Sequence, residues 1–154
     1  MIKTLLLATA VAGLLAHAAH AGEATLSTAV FKEVETRAAD GKVTTALKPA
    51  ARVTPGDQVV YVLTYHNGGV SPTDGVVINN PLAKDLIYAG PADAKPPLVS
   101  IDGHSFGPLA SLTKTGAAGA VPATAADVTT LRWALAQPVP AGGEVQMSFR
   151  ARLK

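Results

Sequence analysis

The chain reads as an all-β, antiparallel domain of about eight short strands, preceded by a cleavable leader. Three observations predict this. Apolar and polar residues alternate with period two over several stretches. Turn-forming Gly, Pro, Asn and Asp punctuate those stretches at short intervals. No amphipathic helical pattern of useful length appears after the first residues.

The leader comes first. Lys3 is the only charge near the start, and residues 5–16 are apolar or small almost throughout. Ala19-His20-Ala21 is a small-x-small pattern with Gly22 behind it, the three-part layout of a secretory signal over residues 1–21. About 12 apolar residues at ~1.5 Å each span roughly 18 Å, well short of the ~30 Å core of a bilayer. Ala16-His17-Ala18 offers a second small-x-small site. No cysteine follows the apolar run, so no lipid-anchored N-terminus is expected. Residues 22–154 remain, a length suited to one domain, and no later segment is apolar enough to span a membrane.

The remaining charges are nearly balanced, and no run of Lys or Arg forms a nucleic-acid patch. An exported protein could carry disulfides, yet the chain has no cysteine. Its stability must come from its core and its sheet ladders.

The strands follow in order. Residues 25–34 and 43–47 have strand composition. Val59, Tyr61, Leu63 and Tyr65 share one face of the next strand, opposite Gln58, Val60, Val62, Thr64 and His66. Val76 and Ile78 alternate in a shorter run, followed by candidates at 86–88 and 98–101. Leu131, Trp133 and Leu135 alternate with Thr130, Arg132 and Ala134. The clearest strand is the last: Val145, Met147, Phe149, Ala151 and Leu153 point inward, and Glu144, Gln146, Ser148, Arg150 and Arg152 point outward. The inward side chains of these strands should form one core around Tyr61, Leu63, Leu131, Trp133, Val145, Met147 and Phe149. Ser148 and Arg150 should behave as surface positions, tolerating Ala within about 0.5 kcal/mol. Residues 90–97 and 115–127 are rich in Ala, Gly and Pro without periodicity and read as loops. Many short strands with regular turns indicate a sandwich or a barrel.

A resemblance narrows this choice. Val53-Thr-Pro-Gly-Asp-Gln-Val-Val-Tyr61, Leu63-Thr-Tyr-His-Asn67-Gly68 and Gly75-Val-Val-Ile-Asn-Asn-Pro-Leu82 come first. Leu86-Ile-Tyr88, Val99-Ser-Ile-Asp-Gly103 and Phe106-Gly107 continue the pattern. Asp127-Val-Thr-Thr-Leu-Arg-Trp133, Pro140-Ala-Gly-Gly and Val145-Gln-Met-Ser-Phe-Arg-Ala-Arg152 complete it. In this order and spacing, most of residues 50–153 resembles the bacterial conserved-repeat domain, a domain of unknown function. The resemblance implies an immunoglobulin-like sandwich of about seven or eight strands. It also implies an exported protein at or beyond the envelope, in the periplasm or at the cell surface. Members often occur as repeats within larger surface proteins, whereas this chain carries one copy. The family has no shared catalytic residues, so none is carried over.

Few residues suggest chemistry. Asp102, His104 and Ser105 are the residue types of a hydrolase triad, but they crowd into an Asp102-Gly103 turn. His66 and His104 are the only histidines beyond the leader, with no spacing that suits zinc. Asp57, Asp74, Asn79, Asn80 and Asp102 could gather around calcium, yet each fits a turn. Lys32 alternates with Val30 and Val34 and could face the core, where a neighbouring carboxyl or amide would permit an isopeptide bond; an exposed edge-strand Lys is the simpler reading. Tyr88 and Phe106 are the aromatics that could be spared for a sugar site. No catalytic, cofactor or metal residue is assigned.

The expected function is a non-enzymatic exported module with a structural or protein-interaction role. It would bind itself or another envelope protein through an edge strand; residues 22–34 are either the domain's own first strand, the simpler reading, or a strand donated to such a partner. The alternative is a small periplasmic carbohydrate- or ligand-binding domain. Export has a direct check. Mass spectrometry of the envelope fraction should show a chain starting at Gly22 or Ala19; an intact chain from Met1 in the cytoplasm contradicts it.

Overall fold

Strand alternation and turn punctuation produce ten strands in the computed structural model, which describes residues 24–154. The leader expected over residues 1–21, with its cleavage bond, lies outside the described residues. The strands are β1 (Thr25–Arg37), β2 (Val43–Pro49), β3 (Gln58–His66), β4 (Val77–Pro81) and β5 (Leu86–Pro91). They continue with β6 (Leu98–Ser100), β7 (Thr113–Gly116), β8 (Gly119–Pro122), β9 (Thr130–Ala134) and β10 (Glu144–Leu153). One sheet has the order β2-β1-β3-β10-β5, a second β4-β9-β6, and β7 and β8 form a separate hairpin. All pairings are antiparallel. The two larger sheets pack face to face as an all-β sandwich.

The inner faces are those the alternation indicates. Across the larger sheet, Val30, Tyr61 and Phe149 lie in one row and Thr28, Leu63 and Met147 in the next. From the smaller sheet Ile78, Val99, Leu131 and Trp133 meet them in a single hydrophobic cluster. Leu63, Leu131, Met147 and Phe149 are fully buried, while Tyr61 and Val145 are partly buried against the cluster. Tyr61 stacks on Phe149 with centroids 5.0 Å apart, and Trp133, from the smaller sheet, packs against Phe149 in a tilted arrangement at 6.1 Å. The Trp133 indole N–H donates to the Lys95 carbonyl at 2.9 Å, so the buried ring leaves no polar atom unpaired.

Asn67 is the buried polar anchor at one end of the sandwich. Its side-chain amide donates to the carbonyls of Ser71, Val139 and Pro140, and its Oδ1 accepts from the Gly69 N–H. Its backbone exchanges bonds with Gly142 and Gly143. One side chain thereby ties the β3–β4 crossover to the β9–β10 loop, where Thr73 also bridges to Val139. On β5 an extra residue relative to β10 is absorbed between Tyr88 and Pro91, where Gly90 takes φ 104°.

Several sequence expectations need correction. Residues 115–127 are not one loop: they contain the end of β7, all of β8 and a 3₁₀ turn at Ala125–Asp127. Their Ala, Gly and Pro composition hides a two-stranded hairpin too short to show a period. Ser148 is not a surface position. It is 9 % exposed and its hydroxyl donates to Asp93 Oδ2 at 2.7 Å, because the chain after β5 folds back over β10. Arg150 is also engaged, making a forked contact to Glu33 and donating to the Pro91 carbonyl. Val60, on the same outer face, is buried between its cross-strand neighbours Phe31 and Arg150.

Phe149→Ala should therefore cost about 3–5 kcal/mol by urea denaturation, as loss of a core aromatic does. Ser148→Ala should cost about 1 kcal/mol, the net value of a typical hydrogen bond, rather than nothing. Equal, negligible effects at both positions would contradict this register.

Candidate functional site

The polar residues singled out in the sequence are used by turns and ion pairs. The Asp102 carboxylate accepts the backbone N–H groups of His104 and Ser105, each at 2.8 Å, and the Ser100 hydroxyl at 2.8 Å. These bonds hold its pKa far below the usual carboxylate range, the His104 N–H contributing most. The carboxylate thus grips the backbone of His104 rather than its ring, and Asp102, His104 and Ser105 share a turn without forming a proton relay. The calcium candidates disperse. Asp57 bonds Lys32, Asp74 accepts its neighbouring Gly75 N–H, and Asn79 accepts from Arg132. Among the described residues, no three His, Cys, Asp or Glu side chains gather as a metal would require.

His66 is half-buried rather than fully solvated. Its Nδ1 is shielded without a hydrogen-bond partner, and lies 3.7 Å from Glu144 Oε1 across the β3–β10 ladder. Lys32 does share its face with Val30, which packs on the core. It stands near the end of the sheet, half-exposed, with Nζ 2.6 Å from Asp57 Oδ2. The Lys32 bond, followed by the Thr54 N–H, lowers the Asp57 pKa. A protonated amine beside an ionised carboxylate is an ion pair, the opposite of the neutral amine and acid that amide formation needs. Tyr88 is buried in the core, and the Arg132 guanidinium covers one face of the half-buried Phe106 ring at 3.5 Å.

Two surfaces stand out among the described residues. The first is the outer edge of β2. The first half of β1 pairs with β3 along one edge, so residues 25–31 belong to the domain's own sheet and are not a free donor. The second half of β1 pairs with β2, and every β2 residue is exposed. The phase of that ladder is fixed at both ends. Ala50 N–H donates to Val30 and Ala38 N–H to Lys42, which places Thr44, Ala46 and Lys48 in bonded pairs with β1. Val43, Thr45, Leu47 and Pro49 consequently turn their main-chain groups outward. Pro49, which has no N–H, falls where none is needed inside the sheet. Lys42 and Lys48 flank the edge, and Val43 and Leu47 are 44 % and 46 % exposed.

The second surface is a cleft of about 570 Å³ where the ends of β9 and β10 meet the β5–β6 connection. Pro96, Leu98, Trp133, Leu135 and Val145 line it, with Lys95 and Arg132 as its charged residues. No sequence signal announces it, because it is assembled from the ends of separate strands and a segment that reads as a loop.

The chain matches no known family model, no curated protein and no solved structure. Among the described residues no helix is long and apolar enough to cross a membrane.

The carboxylates set a pH limit. Arg150 lowers the pKa of Glu33, Lys32 that of Asp57, and Lys114 with Thr124 takes Asp127 down to about 2. Folded values below unfolded ones mean that this stability is complete above about pH 4 and is lost as pH falls through the folded values. The urea midpoint should hold from neutral pH to about 5 and drop between about pH 4 and 2. Asp127→Asn should lower the midpoint at pH 7, and its difference from the parent should shrink toward pH 2; an unchanging difference rejects this assignment.

Proposed function

We propose that the protein is an exported, non-enzymatic β-sandwich module that binds an extended segment of another envelope protein along β2. The observation that carries this reading is the β2 edge: three outward amides, at Val43, Thr45 and Leu47, unpaired among the described residues on a fully exposed strand. Main-chain pairing at such an edge supplies affinity, and side chains alternating along it supply specificity. The leader pattern over residues 1–21 and the resemblance of residues 50–153 to the exported conserved-repeat domain support the location. The reading is also supported by how the polar residues are used, since the groups that could begin chemistry are committed to turns and ion pairs.

The edge favours an acidic partner over a second copy. Antiparallel self-pairing centred on Thr45 engages all three outward amides, but it sets Lys42 opposite Lys48 twice, and like charges directly opposite are destabilising. A partner strand with a carboxylate at each end removes that conflict.

Hydrogen exchange checks the proposal residue by residue. In the isolated protein the Val43, Thr45 and Leu47 amides should exchange fast while Thr44 and Ala46 are protected. A synthetic seven-residue strand with Glu at both ends should protect all three. Thr45→Pro should abolish that protection with little loss of stability, since proline there removes an outward donor only. Amides that remain unprotected at saturating peptide reject strand addition at β2. Protection that rises with protein concentration alone makes a second copy the partner.

A further inference from the structure

We infer that the cleft beside Trp133 binds a small amphipathic carboxylate, an apolar chain or ring ending in a single carboxylate. This site is separate from the β2 edge and does not depend on it. Its volume of about 570 Å³ falls within the range that encloses small ligands. Its walls are apolar: Pro96 and Leu98 on one side, Trp133 and Leu135 on β9 and the residues just beyond it, and Val145 on β10. The indole N–H is already given to the Lys95 carbonyl, so Trp133 offers the cleft only carbon surface. Leu98 is 41 % exposed at the rim, an apolar residue whose burial by a ligand is favourable.

Charge selects the head group. Lys95 and Arg132 are the charged lining residues, and no acidic side chain lines the cleft. Neither cation is within ion-pair distance of a carboxylate among the described residues. Lys95 Nζ donates to the Gln146 carbonyl, and Arg132 donates from Nε to the Asn79 side chain while its guanidinium lies over the Phe106 ring; none of these contacts supplies an anion. An uncharged sugar would leave the apolar walls without a counterpart, and an uncharged hydrocarbon would leave the cations without one. A ligand with both features satisfies both.

Trp133 is the only tryptophan in the chain, so its fluorescence reports directly on this cleft. The full processed protein is titrated with sodium decanoate and, separately, with decanol, below the concentrations at which either aggregates. Decanoate should give a saturable change and bind about fivefold or more tighter than decanol, the factor one screened ion pair provides. Leu98→Gln should weaken decanoate by about tenfold through lost apolar burial. Lys95→Glu should remove the preference for decanoate over decanol. Each variant is compared with the parent by urea denaturation, and Arg132→Gln replaces Lys95→Glu if that change disturbs the fold. The inference is overturned if decanoate gives no saturable change, if decanol binds equally well, or if Leu98→Gln leaves the titration unaltered. A peptide with a free apolar C-terminus that binds where decanoate does not would assign the cleft to a peptide terminus and also overturn it.

Discussion

The fold depends on contact between two sheets that no disulfide joins. With no cysteine in the chain, Phe149 carries the junction: Tyr61 stacks on one face and Trp133 approaches from the opposite sheet. Such aromatic contacts combine large apolar area with defined geometry, so they fix the relative position of the layers as well as holding them together. Asn67 complements them at the periphery. A buried amide with its donors and acceptor matched specifies one arrangement of the crossover loops, and any other arrangement leaves polar atoms dry and unpaired.

Both candidate surfaces arise where this packing stops. The larger sheet extends beyond the smaller one, and the β1–β2 hairpin runs past the start of β3. At the opposite margin the β5–β6 connection crosses between sheets, but it does not fill the space between Leu98 and Val145. One margin has free main-chain groups and the other has free apolar surface, so they suit different kinds of ligand.

The legible part of the fold was whatever repeated. The alternation in β3, β9 and β10 identified Leu63, Leu131, Trp133, Met147 and Phe149 as interior, because on a two-sided sheet the side-chain period and the burial period are the same. The β7–β8 hairpin was illegible because four-residue strands of small residues carry no period. Ser148 and Arg150 were misjudged for another reason. Alternation reports which face a residue occupies, but not whether distant chain later covers that face, as the segment from Pro91 to Asp93 does here. Sites suffered most. The phase of the β2 edge follows from hydrogen bonds at the two ends of its ladder, and the cleft from residues far apart in sequence; neither is a local pattern. Residues 25–34 were rightly read as a strand, but only pairing with β3 showed which of their edges was already taken.

The position of β10 has a consequence for the order of events in folding. This strand is the latest in the sequence, yet it lies inside the larger sheet, between β3 and β5, and brings Met147, Phe149 and Ala151 to the centre. The β1–β2 hairpin can form as soon as its own residues emerge. The interior cannot close, because β3 lacks its second neighbour and the aromatic stack lacks its middle ring until residues 144–153 arrive. A chain threaded N-terminus first through a narrow passage would remain pliable during almost its whole transit, and would collapse into its final shape only as its end came through.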